Sequence, residues 1–308
     1  MKYIDDFLDY LRVVKKHSDN TIISYHGDIL EFSLFVHKNI LKIDKAMVEG
    51  YLTLLYEKNE KKSTIGRKLT SLRVFYDYLL KNKIVSVNYF SDIKNPKKDK
   101  SLPKYVKDND IDKMFLVPDT NKVYGQRNLV IIRLLYATGV RVDELVNIRL
   151  KDIDVSDRTI RILGKGSKER VVVFGVNTQS DLKKYLSDGR RQLDIKGNDY
   201  LFLNKDGNRL SSRYVRKIID DIVVKASIKM HISPHMLRHT HATMLLENNV
   251  NMVYVQKRLG HKDISVTMNI YANHVTPKIK NNSNEKLNEM YKKEWKFEDS
   301  YLTESDSV

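Results

Sequence analysis

The chain has 308 residues, 55 Lys+Arg against 39 Asp+Glu, a formal net charge of +16 and no cysteine. With 41% hydrophobic and 31% charged residues wholesale disorder is excluded, and no apolar run approaches the roughly 18–20 residues of a membrane span. The missing thiols exclude disulfide scaffolds, thiolate zinc sites and cysteine nucleophiles together. A chain of this length suggests two domains, each with its own core. The basic excess is spread over both halves, which favours a polyanion, nucleic acid foremost, held from two sides. The opening MKYIDDFLDYL carries Asp5, Asp6 and Asp9 and no small-residue cleavage site, so it does not read as a secretory signal; with a nucleic-acid partner and no membrane partner, a cytoplasmic, nucleoid-associated address is expected.

Residues 1–92 read as a helical domain. Ile4, Phe7, Leu8 and Leu11 recur at helical spacing. Ser18-Asp19-Asn20-Thr21 offers an N-cap before Ile22, Tyr25, Ile29, Phe32, Phe35 and Val36. A third helix is expected over Lys45–Asn59 with Met47, Tyr51, Leu54 and Leu55 inward, and a fourth from Ser63-Thr64 with Ile65, Leu69, Leu72, Phe75, Tyr76 and Leu79 inward. The aromatic stripe is core rather than a base-stacking platform. Residues 93–105 form an extended linker holding Pro96, Pro103 and a run of lysines. Lys94, Lys97, Lys98 and Lys100 there either contact phosphates or belong to a plain spacer.

Residues 106–282 form the second domain. Asn128–Thr138, apolar nearly all round, is a buried central helix. Thr159–Leu163 and Arg170–Phe174 alternate as a hairpin around Gly164-Lys165-Gly166-Ser167-Lys168. Helical patterns return at Ser212–Ala226, His235–Asn248 and Val253–Leu259, and a C-terminal helix is placed within 283–297, strongest over Ser283–Lys293. Residues 298–308 read as an acidic disordered tail. The fold class is therefore mainly α with a small β-sheet.

Four stretches carry chemistry. In Ser233-Pro234-His235-Met236-Leu237-Arg238-His239, a His and an Arg three apart share a helix face near its N-terminus and can address one anion, or form an incidental surface pair. His235 and His239 have a zinc-like spacing, but the HExxH glutamate is missing and Arg238 would oppose a cation. Arg141, just past Gly139, either projects from a helix junction or pairs with Asp143 or Glu144. Lys165 sits at a glycine-bearing turn, as a reaching ammonium or a solvated lysine. Lys168 and Arg170 of the same hairpin are expected on DNA. His261 follows a helix-ending Gly260, and Tyr271 lies ten residues on. Among 18 tyrosines that one alone means nothing.

Together the set supplies two guanidiniums, an ammonium, two imidazoles and a phenol. Arginines bind phosphoryl oxyanions through paired donors, lysine or histidine can move protons, and a tyrosine can attack phosphorus. No Asp/Glu cluster offers a two-metal site, and GKGSK lacks the Walker A spacing.

In order and wording these boxes resemble the tyrosine recombinase (phage integrase) family, particularly its Xer-like and mobile-element members. Ala137–Leu145 resembles the first arginine box, Gly164–Arg170 the hairpin-lysine turn, Pro234–His239 the HxLRH box, and Leu259–His261 with Tyr271 the last box. Asn20-Thr21, Tyr25, Asp28 and Phe32 resemble the family's SAM-like core-binding domain, so the likeness spans residues 1 to about 275. Two departures point away from chromosome-dimer resolution: Asp143 where many relatives have Ser, and a His261-to-Tyr271 interval one residue longer than in the nearest Xer relatives.

The resemblance implies an N-terminal core-binding domain and a C-terminal catalytic domain closing as a C-shaped clamp on duplex DNA. It implies attack by Tyr271 on the scissile phosphate, giving a 3′-phosphotyrosyl link. Arg141 and Arg238 would hold the nonbridging oxygens, Lys165 would protonate the leaving 5′-oxygen, His235 would assist proton transfer at Tyr271, and His261 would hydrogen-bond the phosphate. Neither ATP nor a metal is implied, and no cofactor. Strand exchange would pass through a Holliday junction on synapsed inverted-repeat core sites held by a homotetramer, with the C-terminal helix docked on a neighbouring subunit. A sister recombinase or accessory factor is an open requirement. The job would be integration or excision of a mobile element, or dimer resolution. Two other readings are a catalytically silent DNA-binding regulator on the same fold and a type IB topoisomerase-like nicking-closing enzyme.

Overall fold

The computed structural model describes residues 2–37, 39–97, 105–164, 169–248 and 250–260. The chain divides into two units, Met1–Ser101 and Leu102–Val308.

Among the described residues, the first unit is built from α1 (Lys2–Val13), α2 (Asp19–Phe35), α3 (Lys45–Glu57) and α4 (Lys62–Lys81). Each buries one stripe because its apolar residues recur every three or four positions. Phe7, Leu11, Ile29, Phe32, Tyr51, Leu55, Phe75 and Tyr76 are fully enclosed. Phe32 lies edge-on to Tyr51, with ring centroids 5.0 Å apart, and to Phe90 at 5.3 Å. The aromatic stripe is thus core, as its spacing predicts. The stripe of α3 is turned slightly from the expected one: Val48 is buried and Met47 is exposed. α4 runs through this core and also carries ionic ties. The Lys68 ammonium, nearly buried, meets Glu31 and Glu60 at 2.8 Å each, and buried Asp28 accepts from Arg67 and from the Ser71 hydroxyl. Arg73 donates to the carbonyls of Phe90 and Ile93, which docks the start of the 93–105 segment on α4.

The second unit forms around α6 (Val123–Thr138), where Val130, Ile131, Leu134 and Leu135 are all enclosed. α5 (Asp108–Leu116) precedes it, and the short α7 (Val142–Leu145) follows. Among the described residues the sheet has three antiparallel strands in the order β1 (Ile153–Asp154), β2 (Thr159–Leu163), β3 (Glu169–Val173). Ile160 pairs with Val172 and Ile162 with Arg170. Ile160 and Ile162 point inward and Arg161 and Leu163 outward, the period-two alternation of a half-buried strand. The hairpin's second strand begins one residue earlier than the sequence pattern suggests, and β1 adds an edge too short to leave a periodic signal. α8 (Val176–Lys184) passes through a π-helical turn, Tyr185–Gly189, into α9 (Arg190–Leu193). Then come α10 (Ser212–Lys225), α11 (Pro234–Glu247) and α12 (Met252–Leu259). α11 begins with Ser233 as N-cap, its hydroxyl accepting from the Met236 N–H, and with Pro234 in the first turn, where no donor is lost. Ala242, Leu245, Leu246, Val255 and Leu259 close α11 against α12.

Candidate active site

α6 ends because Gly139 takes the left-handed conformation at φ +61°, its N–H returning to the Leu135 carbonyl. A side chain there would also collide: an added Cβ would lie 2.7 Å from the His241 ring and 2.9 Å from a Leu259 methyl. The turn places Arg141 at the N-cap of α7. Its backbone N–H donates to Glu144 Oε2 at 2.8 Å, and its Nη1 to Glu144 Oε1 at 3.0 Å. The pairing with Glu144 is therefore real, yet the side chain remains 38% exposed, and Nη2 donates to the Gly260 carbonyl at 3.1 Å.

Arg238 reaches the same place from α11. It is buried, and its partners are main-chain oxygens: Nη1 donates to Gly139 O at 2.7 Å and Nη2 to Leu259 O. Burial, with Arg141 and Arg170 nearby, pulls its pKa down to about 9, against the opposing pull of Glu144. It still carries its charge at neutral pH. His235 stands one helical turn away on an exposed position of α11. Desolvation and then the charges of Arg238, Arg216 and Arg141 hold its imidazole below the ordinary value of 6.5, so it is neutral at neutral pH and able to accept a proton.

Glu144 is the counter-charge. It accepts from Arg141 and also from Arg170, whose Nη1 and Nη2 lie 3.0 and 2.7 Å from its two oxygens. Burial alone would raise its pKa, but the Arg170 and Arg141 bonds outweigh this and hold it below 4.5. Two guanidiniums around one carboxylate, with Arg238 beside them, leave the site strongly positive before any ligand arrives. Such a preset arrangement of donors suits an oxyanion whose charge grows in a transition state.

The structure thus brings Arg141, Arg238 and His235 together. Arg170, expected on DNA, is turned inward instead, because Glu144 and the Arg258 carbonyl occupy its donors. Lys94 and Lys97 are exposed. Lys165, Lys168, His261, Tyr271, Lys98 and Lys100 lie outside the described residues, as do the C-terminal helix and the acidic tail. In sequence Glu144 is only one of two acidic neighbours open to Arg141, the other being Asp143. The available signal was the three-residue spacing, which lets a glutamate reach back to the N–H of the residue that starts a helix. Arg216, on α10, left no signal.

The phage integrase family matches residues 104–277, and its N-terminal SAM-like domain matches residues 4–83. The chain is 43% identical to tyrosine recombinase XerC of Anoxybacillus flavithermus over 277 residues, 88% of this chain and 92% of the relative. It is 36% identical to XerC of Bacillus subtilis over 288 residues, 91% and 94% of the two chains. Its fold resembles the XerH site-specific recombinase bound to palindromic difH substrate in a post-cleavage complex, with a TM-score of 0.68 at 24% identity over 87% of this chain and 78% of that one. The chain belongs to the phage integrase family, and it is a site-specific recombination enzyme of the Xer-like tyrosine recombinase type.

Proposed function

We propose that the enzyme cuts and rejoins duplex DNA at inverted-repeat core sites, with Tyr271 as nucleophile and the cations around Glu144 as the phosphate receptor. Tyr271 attacks the scissile phosphorus, forming a 3′-phosphotyrosyl bond as the bond to the 5′-oxygen breaks. His235 takes up the phenolic proton, and Lys165 delivers one to the leaving oxygen. Arg141 and Arg238 hold the nonbridging oxygens, and His261 adds a hydrogen bond. A 5′-hydroxyl from the partner duplex reverses the step and exchanges the strand through a Holliday junction, within a homotetramer.

One observation carries this reading. Arg238 and Arg141 are tied to consecutive carbonyls, those of Leu259 and Gly260, at the corner directly before His261. Contacts to the DNA backbone from the many basic side chains should make affinity steeply salt-dependent, consistent with the +16 charge. Near-full-length similarity to tyrosine recombinases named XerC supports site-specific recombination, and the two departures in the motifs favour a mobile element over dimer resolution.

A nicked suicide duplex tests the chemistry. A covalent protein–DNA adduct is expected, lost in Tyr271→Phe; no adduct from the intact enzyme would leave only a silent DNA-binding role. Arg141→Ala and Arg238→Ala should keep DNA affinity within about tenfold while cleavage falls by orders of magnitude. Holliday junctions from two matched sites separate recombination from simple nicking and closing. Resolution of a two-site plasmid by the purified protein alone would show that no sister recombinase is required.

A further inference from the structure

Arg170 joins three elements. From β3 its Nη1 and Nη2 grip both oxygens of Glu144, at 3.0 and 2.7 Å, while its Nε donates to the Arg258 carbonyl on α12 at 2.8 Å. Arg258 returns the tie, its Nη2 donating to the Val173 carbonyl of β3 at 2.9 Å. Strand and helix are thus strapped by two reciprocal arginine-to-carbonyl bonds. The strap ends at Gly260, where an added Cβ would lie 3.4 Å from Arg170 Nη1, and the Gly260 carbonyl accepts from Arg141. Glu144 accepts one bond from Arg141 and one from Arg170 on each of its oxygens. The side chain of Arg170 is 12% exposed and that of Glu144 only 8%.

We infer that Arg170 is a positioning residue of the cleavage site, fixing Arg141 through Glu144 and fixing the α12–Gly260 corner through the Arg258 carbonyl. This rests on Arg141 acting on the transition state, as proposed above. The chemistry explains why an arginine stands there. A planar guanidinium engages both carboxylate oxygens and still has Nε to spare, whereas an ammonium would act as a point charge on one of them. A phosphate-holding group that drifts by about 1 Å loses on the order of a hundredfold in rate.

The test uses the full-length protein and a nicked suicide duplex, with Arg170→Gln, Arg170→Lys, Glu144→Gln and the Arg170→Gln/Glu144→Gln pair. Arg170→Gln should cleave about a hundredfold more slowly in single turnover, with DNA Kd and its salt dependence unchanged, and Arg170→Lys should recover part of the rate. Below the acid limb that His235 sets, a second fall in cleavage, from protonation of Glu144, should begin at higher pH in Arg170→Gln than in the parent. Arg141, Arg170 and Arg238 are the charged groups facing Glu144 among the described residues, and removing one makes its carboxylate easier to protonate. The double variant should be no slower than the worse single one. A weaker Kd with a salt slope reduced by about one would make Arg170 a phosphate contact and overturn the proposal. So would cleavage within threefold of the parent, or fully additive losses in the pair. If Arg170→Gln unfolds, Glu144→Gln alone carries the test: unchanged cleavage and an unchanged pH profile would refute the link. Arg141→Ala, run in parallel, separates the two levels, because normal cleavage by that variant would sink the assignment of Arg141 itself.

Discussion

Gly139→Ala puts the geometry of the site to its severest test. The residue is left-handed at φ +61°, which costs an L side chain about 1–2 kcal/mol. The new methyl would sit 2.7 Å from the ring of His241, wholly enclosed, and 2.9 Å from a methyl of Leu259, also enclosed. Neither neighbour has open space to move into, and overpacking of this kind costs about 1–3 kcal/mol. The expected loss is therefore about 2–5 kcal/mol, measured by urea denaturation of the second unit's transition in the full chain. Function should fall further than stability, because the Gly139 carbonyl anchors Arg238. Under conditions where the variant is still folded, suicide-substrate cleavage should drop at least tenfold while DNA binding holds. Adding His241→Ala should restore part of the lost stability, with a coupling of about 1 kcal/mol between these touching residues. A loss below 0.5 kcal/mol, or strict additivity with His241→Ala, would refute the claim that close packing at this turn sets the site.

Three further outcomes are expected. His241 is fully buried, and desolvation followed by the charges of Arg258 and Arg238 pushes its pKa well below 6.5; the unfolded imidazole binds protons that the folded one resists. Stability should fall as pH drops through 6.5 by up to about 1.4 kcal/mol per pH unit, and His241→Phe should flatten that part of the curve; parallel curves would dismiss the buried imidazole as the cause. Arg216→Ala should raise the pKa of His235 by removing a nearby cation, moving the acid limb of single-turnover cleavage to higher pH; an unmoved limb would separate His235 from the proton transfer. Lys68→Met should destabilise the first unit by about 1–3 kcal/mol in urea, less than for a wholly enclosed pair because Glu31 and Glu60 keep some water; a gain in stability would show that apolar packing outweighs these ion pairs.

Much of this architecture is written in local pattern. The stripes of α1, α2 and α4, the buried α6 and the β2–β3 hairpin follow from spacing alone, because in each the core face repeats with the period of the backbone. Short elements are not legible in this way: β1 has two residues, α7 and α9 four each, and none spans a period. Met47 and Val48 are adjacent on α3, so a modest rotation of the helix decides which faces inward, and packing rather than pattern sets that rotation. The same limit applies at the site. Arg141, His235 and Arg238 are visible as chemistry in the sequence, but whether an arginine faces solvent or carboxylate is decided by elements far apart in the chain. Arg170 and Glu144 lie 26 positions apart, and Arg170 and Arg258 lie 88 apart. A basic residue on a hairpin looks the same in sequence whether it meets DNA or braces the fold.

Arg238 leans on peptide oxygens at Gly139 and Leu259, and no substitution can delete an oxygen of the main chain. Variation at position 259 should therefore be limited by packing alone, and variation at the bends that aim the two oxygens by the shape of the backbone. The fragile points are two hydrogen atoms: the ones that glycines 139 and 260 carry in place of a side chain.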